Sequence, residues 1–287
     1  MKEMKIKQTI NAHFDYVYSL IFLNDKKIAS CSEDNTIRFY DPFNDFHCDQ
    51  IMNRHNSGIC SICQLDNGTM VSCSRDKTII IGDYVIHKAH EKIIIKIITL
   101  PNDRIASCSW DNTIKIWKSN PPYSNTPIKI LKGHHNPVNS LVFIKERDLL
   151  ISGAKDKTLR LWNMSTYQCD TVIDGVYCCE SNALYQIDNY RVIAGWRNTI
   201  YIVNIDKCII EKTIEDQSLG FVYCFLKLRD NTILCGCDYG LYDINEKHYK
   251  TILNNENNCI NDLLIINDNT FVSCSNNKTI EIMGILM

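Results

Sequence analysis

The chain has almost no excess of charge of either sign: 31 basic and 33 acidic residues leave a formal net charge of −2 over 287 residues. Nucleic-acid binding by counterion release needs a basic stripe, and the charge balance offers none, so RNA and DNA are not expected partners. Long apolar runs are missing too. Ile93 to Leu100 is broken by Lys96, and no run approaches the length that spans a bilayer, so membrane insertion is not expected. The opening MKEMKIKQTI is charged, lacks an apolar core and does not read as a secretory signal. A cytoplasmic chain, with the nucleus also open to it, is the expectation. No stretch shows a helical period with caps. Glycine-rich phosphate loops, a nucleophile elbow and paired metal ligands are all missing, which predicts no cofactor, no metal and no enzyme.

What the chain does have is repetition. IASCSEDNTIRFYD at 28–41 returns as VSCSRDKTIIIGD at 71–83, IASCSWDNTIKIWK at 105–118, ISGAKDKTLRLWN at 151–163 and VSCSNNKTIEIMG at 272–284. The recurring threonines are Thr36, Thr78, Thr113, Thr158, Thr199 and Thr279, with Gly240 in the same place of a degraded copy. Their mean spacing of about 40 residues is that of a propeller blade of four short strands. Within 132–166, Val138 to Phe143, Leu149 to Ser152 and Thr158 to Trp162 alternate and are rich in β-branched residues, separated by charged turns. Outer strands fit at Cys48 to Met52, Ile128 to Leu131, Cys169 to Ile173, Cys208 to Ile214 and Tyr249 to Leu253. The last copy ends after its third strand, while residues 4–10 read as a fourth strand without a blade. The spacing therefore predicts an all-β, seven-bladed β-propeller of four-stranded antiparallel blades, closed by the N-terminal strand completing the last blade. The whole chain, 1–287, is read as one domain, with blades at about 11–52, 53–86, 87–131, 132–173, 174–214, 215–253, and 254–287 plus 4–10.

A histidine stands ahead of each of the first four threonines at a nearly constant distance: His13, His55, His90 and His134. With Gly133-His134, Ser152, Asp156 and Trp162, and with His90, Ser107, Asp111 and Trp117, the chain resembles the WD-repeat family of β-propellers. The resemblance implies a hydrogen-bonded His-Ser-Asp-Trp tetrad inside each blade. The first blade offers His13, Ser30 and Asp34 with Tyr40 in place of Trp; the second offers His55, Ser72 and Asp76 with Gly82 there. Later copies decay. Arg197 and Asn198 fill the turn of the fifth, Asp238 is read as the survivor of the sixth, and Asn277 replaces Asp in the seventh. A buried carboxylate needs donors, which imidazole, hydroxyl and indole supply. A hydrolase triad would call for one such set in one pocket, whereas this set recurs from blade to blade.

The resemblance also implies that ligands lie across the top face, near the channel. By position, the residue before the turn Asp gives Glu33, Arg75, Trp110 and Lys155, with Trp196, Cys237 and Asn276 in the decayed copies. The residues flanking the first apolar position give Tyr16 and Tyr18, Gly58 and Cys60, Ile93 and Ile95, and Pro137 and Asn139. Trp110 in a polar turn is either a contact surface or packed on the next blade. Arg75 and Lys155 suit an acidic or phosphorylated peptide, although Glu33 shares their rim. Of the 15 cysteines, Cys31, Cys73, Cys108 and Cys274 share one slot and read as small buried hydrophobes, as do Cys178, Cys179, Cys235 and Cys237 in strands. The implied role is a non-catalytic scaffold that binds peptides or proteins within a multiprotein complex. The alternative is a substrate-receptor or adaptor subunit of a ubiquitin ligase, although the family's Trp-Asp-x-Arg docking signature is missing at Tyr40, Trp117 and Trp162.

Overall fold

A computed structural model describes residues 3–178, 180–244 and 259–286. The described chain forms seven antiparallel sheets, the first six built in sequence order from the axis outward. In the first blade the strands are Val17–Phe22, Ile28–Ser32, Ile37–Asp41 and His47–Met52. The outer strands of the next four blades are Tyr84–Ile86, Lys129–Lys132, Gln168–Asp174 and Ile209–Glu215. The sixth blade shows three described strands, Val222–Lys227, Ile233–Cys237 and Gly240–Asp243. Its expected fourth, Tyr249 to Leu253, lies outside the described residues. In the seventh blade Thr279–Leu286 pairs antiparallel with Glu3–Asn11, so the start of the chain completes the last sheet. Each inner strand touches that of the next blade, and Ile260–Asn267 touches Val17–Phe22, which shuts the ring. The chain is an all-β, seven-bladed propeller.

Apolar residues sit where neighbouring sheets face each other. Val71, Cys73, Ile79 and Ile81 of the second blade pack on Ile94, Ile97, Ile105 and Trp117 of the third. Val272, Ile280 and Ile282 of the seventh pack on Val17, Leu20, Ile28 and Tyr40 of the first. Removing this surface from water is the main force holding the blades together. The cysteine slot marks the tightest approach. Cys31, Cys73, Cys108 and Cys274 are fully buried, and burial pushes their thiols up. Gly153, Gly195 and Gly236 hold the same slot in the other three blades. A Cβ on Gly195 would lie 2.1 Å from Val222 Cγ1, and one on Gly236 would lie 2.9 Å from the Ile260 carbonyl oxygen. Only a small residue fits. Cys235 and Cys237 lie in a strand as expected, but Cys178 is buried outside any strand, and Cys179 lies outside the described residues.

The proline-rich loop at 118–127 has a structural use. It folds over the outer strand of the second blade, only three residues long, where Tyr123 stacks on Tyr84 at 4.9 Å and Asn125 Oδ1 accepts from Tyr84 Oη at 3.3 Å. A short strand covered in this way presents little free edge to another chain.

Candidate functional site

The repeated polar sets form closed networks between strands. In the third blade Trp117 Nε1 donates to Ser107 Oγ at 2.9 Å, and Ser107 Oγ and His90 Nε2 are 2.8 Å apart. His90 Nδ1 and Asp111 Oδ2 are 2.8 Å apart. The fourth blade repeats the chain through Trp162, Ser152, His134 and Asp156 at 2.8, 2.7 and 2.8 Å. One assignment satisfies every link: a neutral imidazole that accepts the serine proton at Nε2 and donates from Nδ1 to a carboxylate. The electrostatics agree. Burial pulls His13, His90 and His134 below the ordinary value, against the opposing pull of Asp34, Asp111 and Asp156. Burial would raise Asp34, Asp76, Asp111 and Asp156, but hydrogen bonds from the histidines, threonines and backbone hold them well below the usual carboxylate range.

The threonines that mark the repeat prove to be members of the network, a role that spacing alone does not reveal. Thr36, Thr78 and Thr113 each donate from Oγ1 to their Asp Oδ1 at 2.6 Å, and Thr158 does so at 2.7 Å. In the first blade His13 lies 2.9 Å from Asp34 and 2.7 Å from Ser30, while Tyr40 Oη donates to the Ala12 carbonyl at 2.8 Å. In the second, His55 lies 3.0 Å from Asp76 and 2.8 Å from Ser72, and a cavity of about 20 Å³ remains beside Gly82.

Three expectations about the decayed blades need correction. Asp238 is not a surviving tetrad carboxylate. Its N–H donates to the Phe221 carbonyl as that of Glu33 does to Tyr16, so it is the sixth blade's counterpart of Glu33. Its carboxylate accepts from the Phe221 N–H at 2.7 Å and from Tyr223 Oη at 2.7 Å. Cys237 is therefore one position short of that rim, and so is Trp196. Ala194 pairs with Leu184 as Ser30 pairs with Leu20, which puts Arg197 in the Glu33 position. The turns of these two blades are one residue shorter, and counting back from the threonine slips by one. Trp196 packs between Tyr177, stacked at 6.2 Å, and Phe221, edge-on at 5.3 Å.

On the face carrying these turns, the other expected residues occur in three settings. Arg75 Nη2 donates to Tyr18 Oη at 2.8 Å, and Arg75 Nε lies 3.0 Å from Glu33 Oε2, a contact not angled as a hydrogen bond. This pairing joins the first two blades and occupies the guanidinium that an acidic peptide would need. Trp110 leans on the next blade and donates from Nε1 to Asn139 Oδ1 at 3.0 Å, with Lys155 Nζ 5.0 Å from its ring centroid. It thus packs on the next blade and remains 37% exposed. Tyr16, 44% exposed, and Tyr18 line a cavity of about 220 Å³ at the channel mouth, with Tyr223, Glu180, Asn261 and Asn276.

Sequence reasoning missed Glu180, Tyr223 and Asn261. Tyr223 and Asn261 were within reach. In six blades the inner strand carries a bulge, which leaves Tyr18, Cys60, Ile95, Asn139, Tyr223 and Asn261 as its extra residue. A bulge re-aims a side chain, and here it does so at the channel mouth. Glu180 has no such signal. The segment before Leu184–Gln186 crosses the axis, and Asn182 Nδ2 donates to the carbonyls of Asn261 at 3.1 Å and Tyr18 at 3.4 Å. Lys96 Nζ donates to Asn182 Oδ1, and Ser140 Oγ lies 3.0 Å from the carbonyls of Glu180 and Ser181. One segment of the fifth blade thus ties four others together.

The family model described as "WD domain, G-beta repeat" matches residues 4–41, 46–83, 84–118 and 125–163. The chain belongs to the WD-repeat family. Relatives among curated WD-repeat proteins match over short stretches. Nuclear distribution protein nudF of Aspergillus niger is 34% identical over 91 residues, 31% of this chain and 20% of that protein. Nuclear distribution protein nudF 1 of Talaromyces marneffei is 44% identical over 62 residues, 22% of this chain and 13% of that protein. The WD repeat-containing protein 89 homolog of Dictyostelium discoideum is 35% identical over 51 residues, 18% of this chain and 14% of that protein. These matches span at most about a fifth of their relatives' lengths. Among solved structures, the WD40 β-propeller domain of Doa1 superposes with a TM-score of 0.78 at 19% identity, covering 98% of this chain and 97% of that one. That likeness shows the WD-repeat fold alone. Among the described residues no helix is long and apolar enough to cross a membrane, and no cluster of metal-ligating side chains is present.

Proposed function

We propose that this WD-repeat propeller is a non-catalytic scaffold whose top face binds peptide segments or protein partners within a multiprotein complex. The observation that carries the reading is the division of labour among its polar residues. The His, Ser and Asp sets are buried and fully engaged with one another, while partly exposed aromatic and charged side chains gather around the channel mouth. A serine nucleophile must be reachable; Ser30, Ser72, Ser107 and Ser152 are buried and bonded to histidine. Aromatic and arginine side chains in partly desolvated positions are what interfaces concentrate. A larger cavity of about 430 Å³ on the opposite face, beside Asn102 and Phe143, has no comparable aromatic rim.

Affinity purification from cells with wild-type, Trp110→Ala and Arg75→Ala baits tests the proposal. Partners captured by the wild type should be depleted from the variants. Identical captures would remove the top face from the account. A cullin adaptor among the captured proteins would favour the ligase-receptor alternative, and its repeated absence would remove that alternative.

A further inference from the structure

The cavity at the channel mouth has a chemical character of its own. Its volume of about 220 Å³ is below the ~300–1,000 Å³ usual for small-molecule sites, which suits one side chain better than a cofactor. Three of its walls are tyrosine rings, from Tyr16, Tyr18 and Tyr223. The hydroxyls of the last two are already engaged, Tyr18 by Arg75 and Tyr223 by Asp238. Asn261 spends both amide protons, on the Val17 carbonyl and on Asn276 Oδ1, each at 2.8 Å, which leaves its own oxygen to accept. The Glu180 carboxylate also lines the cavity, and among the described residues no hydrogen bond or ion pair reaches it. Burial and the nearby Asp238 push this carboxyl up, to about 7, against the opposing effect of Lys155. Such a group gains from the arrival of a cation. Acceptors outnumber donors, and ring faces attract positive charge.

We infer that this cavity takes the side chain of an arginine or lysine projecting from a partner polypeptide, held between the tyrosine rings and against Glu180. The inference deepens the scaffold reading and rests on it. Charge complementarity selects the occupant. Of the two cations expected to suit an acidic ligand, Arg75 is paired with Glu33 and Lys155 lies over the Trp110 ring, so both are engaged where the cavity is open to cations. Half-exposed Tyr16 and Trp110 lie on the same face and supply contacts for the backbone on either side of the inserted residue. Lys155 bears on Glu180 from the fourth blade as a competing cation.

The test uses the full chain and fluorescein-labelled peptides of sequence Ser-Gly-Ser-X-Ser-Gly-Ser, followed by fluorescence anisotropy. X is arginine, citrulline, lysine, acetyllysine or phosphoserine. Arginine should bind about tenfold more tightly than its uncharged isostere citrulline, and lysine more tightly than acetyllysine. Glu180→Gln should erase both preferences, and Lys155→Gln should strengthen binding, a gain that a misfolded variant cannot mimic. Equal binding of arginine and citrulline, a preference that survives Glu180→Gln, stronger binding of phosphoserine, or no binding of any peptide would each overturn the inference. If Trp110→Ala loses cellular partners while arginine and citrulline bind equally, only the cation pocket falls. If top-face variants keep every partner, the scaffold reading falls as well.

Discussion

Trp110 Nε1 on the third blade donates a 3.0 Å hydrogen bond to Asn139 Oδ1 on the fourth, so the most exposed indole of the top face is pinned by its neighbour. The residue is held by this bond and remains 37% exposed. An anchor of this kind is already ordered before a partner arrives and loses little entropy on binding.

Trp110→Ala should therefore separate stability from recognition. The lost contacts are partly solvated, so unfolding in urea should shift by no more than about 1 kcal/mol. Partner capture should fall sharply in the same variant. A large loss of stability with capture intact would make Trp110 a packing residue.

The tetrads should behave in the opposite way. Ser107→Ala leaves His90 Nε2 and Trp117 Nε1 buried without a partner, at a cost of about 1–3 kcal/mol. Trp117→Phe removes one donor and should cost less in hydrogen bonding. The double variant should be less destabilised than the sum of the two, because both act through Ser107 Oγ. Urea denaturation of the three variants gives the coupling directly.

Much of this could be read from the sequence, and the exceptions have physical reasons. The serine, aspartate and threonine spacing identifies strands and tetrads through Trp162, because each member is bonded within its own blade. Residues 4–10 announce the closing strand for the same reason: they look like a fourth strand and lack a sheet. The Glu33–Arg75 pair is harder to see, since it joins equivalent turns of two blades. Trp196 and Cys237 slip by one because their turns lost a residue, which threonine counting conceals. Glu180 was invisible. Its segment leaves the blade pattern to cross the axis, and no local period records a contact with Tyr18 or Lys96.

Two sets of groups make the fold sensitive to acid. His13, His90 and His134 are held below their ordinary value of 6.5, chiefly by burial, so the unfolded chain binds more protons than the folded one as pH falls below about 6.5. Stability contributed by the neutral imidazoles is present above that pH and is lost as pH falls toward their folded values. The depressed carboxylates of Asp34, Asp76, Asp111 and Asp156 add a second loss below about pH 4. The raised carboxyls of Glu180, Asp262 and Glu281 act with the opposite sign, so the histidines are read individually. 15N NMR at about pH 6.5 should show His13, His90 and His134 neutral and protonated at Nδ1. Imidazolium signals there would contradict the neutral-imidazole assignment.

Gly195→Ala should be costly for so small a change. Its Cβ would meet Val222 Cγ1 at 2.1 Å, and a β-branched side chain in a packed interface has little room to yield. A destabilisation of about 1–3 kcal/mol is expected in urea melts, the usual range for overpacking. A neutral effect would mean that the fifth and sixth blades are less tightly joined than their inner strands indicate.

The central claim is that partners sit on the face around the channel mouth. Site-specific photo-crosslinking with benzoylphenylalanine in cells tests it most directly, placed in turn at Tyr16, at Asn102 on the opposite face and at Val172 on an outer strand, 41% exposed. The account predicts partner adducts from Tyr16 and none from the other two. Adducts from Asn102 or Val172 with none from Tyr16 would contradict it.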